Sequence, residues 1–323
     1  MRNLNTKIVD EIVKQLPGHK SPVNYLTGMF PMSKETAYRR INNKIPFSID
    51  EVATIADDLN ISIDQMLDLK TNKSFPLDKD FNTDLEPADI YIDLLSSDID
   101  IMEKLLVSKN VKITAAINRI PLRFLPYHSL FKFEYYHYVY STGKISLMTR
   151  YSDIVVPPFI SDLHKKSAAL FRKLDNITCL IDSMIFFDII RKIQYYYRMK
   201  FISSEDLQTL QTELFELLET YETLVRSGKN NMGSNYVFYY SLFNLESNVF
   251  FFEYDRDSLL QIWIYPESPI IIKNNRQING IQKRWIDSKL KNSTLITKTA
   301  DSQQIDLLRN AYKQIEDLTK MGG

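Results

Sequence analysis

Between residues 33 and 44 the chain gathers Ser33, Lys34, Glu35, Thr36, Tyr38, Arg39, Arg40, Asn42, Asn43 and Lys44. Side chains of these types are the ones that contact nucleic acids in general. An arginine fork pairs bidentately with a guanine edge, and Lys, Ser, Thr and Asn reach base edges or phosphate oxygens. Residues 33–49 carry Lys34, Arg39, Arg40 and Lys44 against Glu35 alone, whereas 50–69 carry Asp50, Glu51, Asp57, Asp58, Asp64 and Asp68 and no base. Such a polarised segment orients itself on a polyanion even where its charges cancel in sum. The plainer reading of the same run is a solvated helix face with ordinary surface charges.

Other chemistries find little support. Cys179 is the only cysteine and lies in the apolar run Ile177-Thr178-Cys179-Leu180-Ile181, the setting of a buried, inert thiol. His128, His137 and His164 show no metal-ligand spacing, and Asp153, Asp162, Asp175, Asp182 and Asp188 accompany no nucleophile motif. The 8 glycines form neither GxGxxG nor GxxxxGK[ST], so dinucleotide and P-loop cradles are unsupported. We therefore expect no cofactor, no metal and no catalytic activity. Aromatic clusters at 131–140, 195–197, 236–240 and 250–252 suit a core, with a pocket for a planar ligand as the sharper alternative.

The elements that must position the basic run are legible from their caps. Ser33 suits an N-cap for a helix over 33–41, with Glu35 in its positive first turn. Ser48-Ile49-Asp50-Glu51 and Ser62-Ile63-Asp64-Gln65 both fit a capping box, opening helices at 49–59 and 62–69. In the first of these Ile49, Val52, Ala53, Ile55, Ala56 and Leu59 form one stripe at helical spacing, expected to be buried. Ala37 and Ile41, four apart, would face inward from the helix before it.

Helix, tight connection, helix, then Asn-Asn-Lys-Ile-Pro and SIDEVATIADDLNISIDQML resembles the lambda-repressor/Cro-type (XRE-like) helix-turn-helix domain. The resemblance covers about residues 5–69, with the second half the more specific part. The first half departs from the family pattern: helix 2 opens on Ser21-Pro22-Val23-Asn24-Tyr25-Leu26, and the turn reads Gly28-Met29-Phe30-Pro31-Met32. The resemblance implies five short helices, the third lying in the major groove with its N-terminal residues at base edges. It places Ser33, Lys34, Glu35, Tyr38 and Arg39 outward, Arg40 near the helix edge, and Asn42, Asn43 and Lys44 at phosphates. Its implied partner is double-stranded DNA.

The whole chain has 323 residues and a formal net charge of zero, enough for two domains and without a bulk pull toward nucleic acid. Affinity would then come from a local patch and call for a homodimer. No signal pattern opens the chain and no apolar run spans a bilayer, so we expect a cytoplasmic protein with no membrane partner. The expected organisation is an all-α helix-turn-helix domain at 1–70, a polar linker at 71–86 and an α+β domain at 87–323. That last domain would combine several helices with a small antiparallel sheet, a meander of 235–244, 249–254 and 259–265. Strand 111–117 and helices at 87–106, 159–174, 182–198, 205–226, 275–290 and 302–318 accompany it; 128–140 reads as helix or strand. The apolar seam of 87–106 serves a dimer or its own domain. The reading is a sequence-specific transcriptional regulator whose C-terminal domain dimerises it, senses an unidentified small molecule, or both. Its rivals are an adaptor whose helix-turn-helix no longer reads DNA and an enzyme targeted by the head.

Overall fold

Ser48 shows how local chemistry sets the helix boundaries. Its hydroxyl accepts from the Glu51 amide and the Glu51 carboxylate accepts from the Ser48 amide, a complete capping box. The computed structural model describes residues 4–16, 21–59, 86–265, 268–299 and 302–318. The chain divides into two units, Met1–Phe75 and Pro76–Gly323.

In the first unit the described helices are α1 (Leu4–Gln15), α2 (Pro22–Met29), α3 (Lys34–Ile41) and α4 (Ile49–Asp58). Ile8, Ile12, Leu26, Ala37, Val52 and Ile55 form its core. Each buried Ile, Leu or Val contributes about 1.5–3 kcal/mol before the entropy of ordering is deducted. Two expectations need correction. The α4 stripe is narrower than its spacing suggests: Val52, Ile55 and Ala56 are buried, but Ile49 is 83 % exposed and Ala53 is exposed. Ile49 is the first helical residue and projects away from the other helices. The turn also starts later, because α2 continues through Gly28 to Met29 and leaves Phe30–Ser33 as the connection. The helix expected at 62–69, its Ser62 box and most of the linker lie outside the described residues.

The second unit is mixed α+β. Among the described residues its sheet has seven strands: β1 (Lys112–Ile117), β2 (Ile177–Ile181), β3 (Tyr236–Tyr240), β4 (Val249–Tyr254), β5 (Asp257–Tyr265), β6 (Ser268–Lys273) and β7 (Thr294–Leu295), ordered β6-β5-β4-β1-β2-β3-β7. β1, β2 and β3 are mutually parallel, and the remaining pairings are antiparallel. The expected small antiparallel sheet is thus replaced by a larger mixed one. Of the expected meander, only 249–254 and 259–265 are neighbours, as β4 and β5, with β6 rather than β3 as the third strand; β1 and β2 lie between β3 and β4. The helices are α5 (Pro87–Val107), α6 (His128–Ser141), α7 (Pro158–Phe171), α8 (Phe187–Arg198), α9 (Ser204–Ser227), α10 (Arg276–Lys291) and α11 (Ser302–Glu316). Run 128–140, ambiguous in sequence, is helix.

Parallel strands need long crossovers. α6 and α7 connect β1 to β2, and α8 and α9 connect β2 to β3. The main core joins these helices, with α5 and α11, to one sheet face through Ile113, Ala115, Cys179, Phe238, Phe250 and Phe252. The opposite pleat, Ala116, Leu180, Phe251, Leu260 and Ile272, packs on Ile286 and Trp285 of α10. Strands covered on both faces read as unbroken apolar runs rather than alternating ones. The α5 seam is spent inside its own unit: Leu94, Leu95, Ile99, Met102 and Leu105 are buried there. Among the described residues no helix is long and apolar enough to cross a membrane.

Candidate nucleic-acid interface

α3 is short, and its two faces differ sharply. Ala37 is fully buried and Ile41 packs at the rim of the same core. A residue as small as Ala37 lets the helix sit close to its neighbours. The helix start is fixed by Ser33, whose hydroxyl accepts from the Thr36 amide at 3.1 Å and lies 3.0 Å from the Thr36 hydroxyl. Glu35 occupies the first turn, where the helix dipole favours an acid.

Lys34, Glu35, Tyr38 and Arg39 project outward from this frame, and Tyr38 is 59 % exposed. Lys44 is exposed in the loop that follows. Among the described residues no carboxylate pairs with Lys34, Arg39 or Lys44. Three cationic groups are therefore available to an outside anion.

The other residues picked out in sequence are engaged within the unit. The Asn42 side-chain amide donates to the Tyr38 carbonyl at 2.8 Å, closing the helix end. Asn43 adopts the left-handed conformation with φ 58°, which an asparagine tolerates better than most residues. Its side-chain oxygen accepts from Asn5 at 2.7 Å. Arg40 does not reach outward: its guanidinium pairs with Glu51 at 2.9 Å, donates to the Pro46 carbonyl and lies 5.5 Å from the Phe47 ring centre. Since Glu51 also completes the α4 capping box, Arg40 ties the end of α3 to the start of α4.

Asn5 carries no signal of a role in the sequence. Only 5 % exposed, it donates to Asn43 and accepts from the Phe47 amide at 2.9 Å, spanning the α3–α4 loop from α1. An Asn near a helix start gives no signal of such a distant partner. Tyr25 of α2 likewise donates to Asp58 of α4 at 2.7 Å, and burial followed by that acceptor pushes its phenol well above the usual range.

The arrangement offers a capped helix with donors on its outer face and a loop held at both ends. It can present a fork and two ammonium groups to a phosphate backbone or a groove edge. Comparison with family models, curated proteins and solved structures returned no significant match.

Proposed function

We propose that this protein is a DNA-binding transcriptional regulator whose first unit is a lambda-repressor/Cro-type helix-turn-helix domain. The observation that carries the reading is α3 itself. It follows α2 after the short Phe30–Ser33 connection, turns Ala37 inward, and exposes Lys34, Tyr38 and Arg39 with both cations unpaired among the described residues. In the proposed complex α3 enters the major groove, Arg39 reads a base edge, and Lys34 and Lys44 meet phosphates. Arg40 is left out of this contact set because its partners lie within the unit. A homodimer would place two such helices about 34–36 Å apart, one turn of DNA. The C-terminal unit would supply that pairing or an effector site, and no catalytic step is assigned to it.

Ile49, 83 % exposed beside the exposed acids of α4, favours a second reading as a protein-binding module. Duplex binding across a salt series separates the two. Lys34 and Lys44, the two cations assigned to phosphates, give an expected slope of log K against log salt of roughly −1.8 per protomer, at about −0.9 per neutralised phosphate. Binding without salt dependence, or no duplex binding by folded protein, would support the protein-binding module instead.

A further inference from the structure

In the C-terminal unit, a cleft opens beyond the carboxyl end of β1, where the sheet changes from parallel to antiparallel pairing between β1 and β4. Crevices outside the carboxyl ends of strands are where open α/β sheets take ligands. The room there is about 50 Å³, several times the roughly 10–15 Å³ that one water needs. It suits a small oxyanion.

Three cations and three acids line it: Arg119, Arg123, Lys192, Asp98, Glu134 and Asp188. The acids have partners already. Asp98 accepts from Arg123 at 2.5 Å and from the Ser167 hydroxyl at 2.7 Å. Lys192 bridges Glu134 at 3.2 Å and Asp188 at 2.7 Å. Burial alone would lower the Lys192 pKa, but these two carboxylates outweigh it and hold the ammonium charged.

Two of the cations keep donors in reserve. Arg123 is 95 % buried, its Nη2 donating to Asp98 and to Gln261 at 2.8 Å, while its Nη1 has no hydrogen-bond partner among the described residues. Its guanidinium is pinned over the Phe250 ring at 4.4 Å and beside Trp263 and Phe171. Arg119 makes no ion pair among the described residues, yet its backbone is clamped: the buried Asn248 amide accepts from the Arg119 amide at 3.3 Å and donates to its carbonyl at 3.0 Å. A buried guanidinium with an idle donor is a rare and unfavourable arrangement in a folded protein unless something completes it.

We propose that this cleft is a binding site for the oxyanion group of a small ligand, a phosphate or a carboxylate, held by Arg119 and by the guanidinium of Arg123. The site is independent of what the N-terminal unit binds. It is tested by calorimetric titration of the full-length protein with sodium phosphate and with sodium acetate, at ionic strength held constant with sodium chloride. The expected result is saturable binding of one anion per chain, at least tenfold weaker in Arg119→Gln and retained in Arg39→Ala, whose lost cation lies in the other unit. Preference for phosphate or for acetate then identifies the group. Because Arg123→Ala would strand a buried Asp98, Arg123→Lys is the second variant; it keeps the charge, loses the fork and is expected to weaken binding. No saturable binding of either anion overturns the proposal. So does binding unchanged in both Arg119→Gln and Arg123→Lys, or binding abolished by Arg39→Ala.

Discussion

Arg39 and Arg40 are adjacent in sequence and opposite in environment, so replacing each by alanine separates reading from holding. Arg40→Ala removes a charge-assisted pair to Glu51 at 2.9 Å, both side chains being about 15 % exposed, together with the donation to Pro46 and the contact with Phe47. A hydrogen bond to a charged group is worth about 1.5–3 kcal/mol and the ring contact about 0.5–1. Against this stands relief of the Arg40 Nε, which is buried without a partner among the described residues. The net expectation is about 2 kcal/mol lost from the α3–α4 junction. Arg39→Ala, on an exposed side chain, should cost under about 0.5 kcal/mol of stability, but about 1–3 kcal/mol of base-specific affinity if Arg39 reads guanine. Hydrogen–deuterium exchange of α3 and α4 peptides in the full-length protein reads the first quantity. Exchange there should accelerate about 30-fold in Arg40→Ala, by the equivalence of 1.4 kcal/mol to a factor of ten, and barely change in Arg39→Ala. Unchanged exchange in Arg40→Ala, with base-specific affinity lost, would refute the structural role and return Arg40 to the interface.

Asn5→Ala should free the α3–α4 loop at Asn43 and Phe47 and destabilise the first unit by about 1–3 kcal/mol, read as faster exchange of residues 42–47. The second unit should lose stability in acid through His164. Burial, opposed only in part by donation to the Leu122 carbonyl, pushes this imidazole down to about 4. The unfolded chain therefore binds the proton first, and stability falls as pH drops from the ordinary histidine value of about 6.5 toward 4, by at most about 3 kcal/mol. Urea midpoints at pH 7 and pH 5 should converge in His164→Gln; an undiminished pH slope in that variant would assign the acid loss to other groups. Gly228 ends α9 at φ 68°, where an added Cβ would meet Lys298 Cε at 2.7 Å. Gly228→Ala should cost about 1–2 kcal/mol, seen in the melting of the second unit.

What the sequence made legible was local. Ser33 and Ser48 cap helices because the groups they satisfy lie three residues away. What it concealed was non-local. In sequence β2 is an apolar run without alternation, and β3 reads as part of the meander. A strand buried on both faces has no alternation, and its parallel neighbour lies a two-helix crossover away. Arg40 stood among outward bases in sequence, and only the folding back of the loop brings Glu51 to it. The cleft draws on residues from α5, α6, α8, β5 and the loops flanking β1 and β4, so no spacing in the chain announces it.

The proposed function stands or falls on whether α3 reads sequence. The most direct test is sequencing of genomic fragments retained by the purified full-length protein, with Arg39→Ala as the control. The expected result is a shared motif in two half-sites, about one helical turn apart, that is lost in the variant while exchange shows its fold intact. Retained fragments without a common motif, or a motif unchanged in Arg39→Ala, would contradict it.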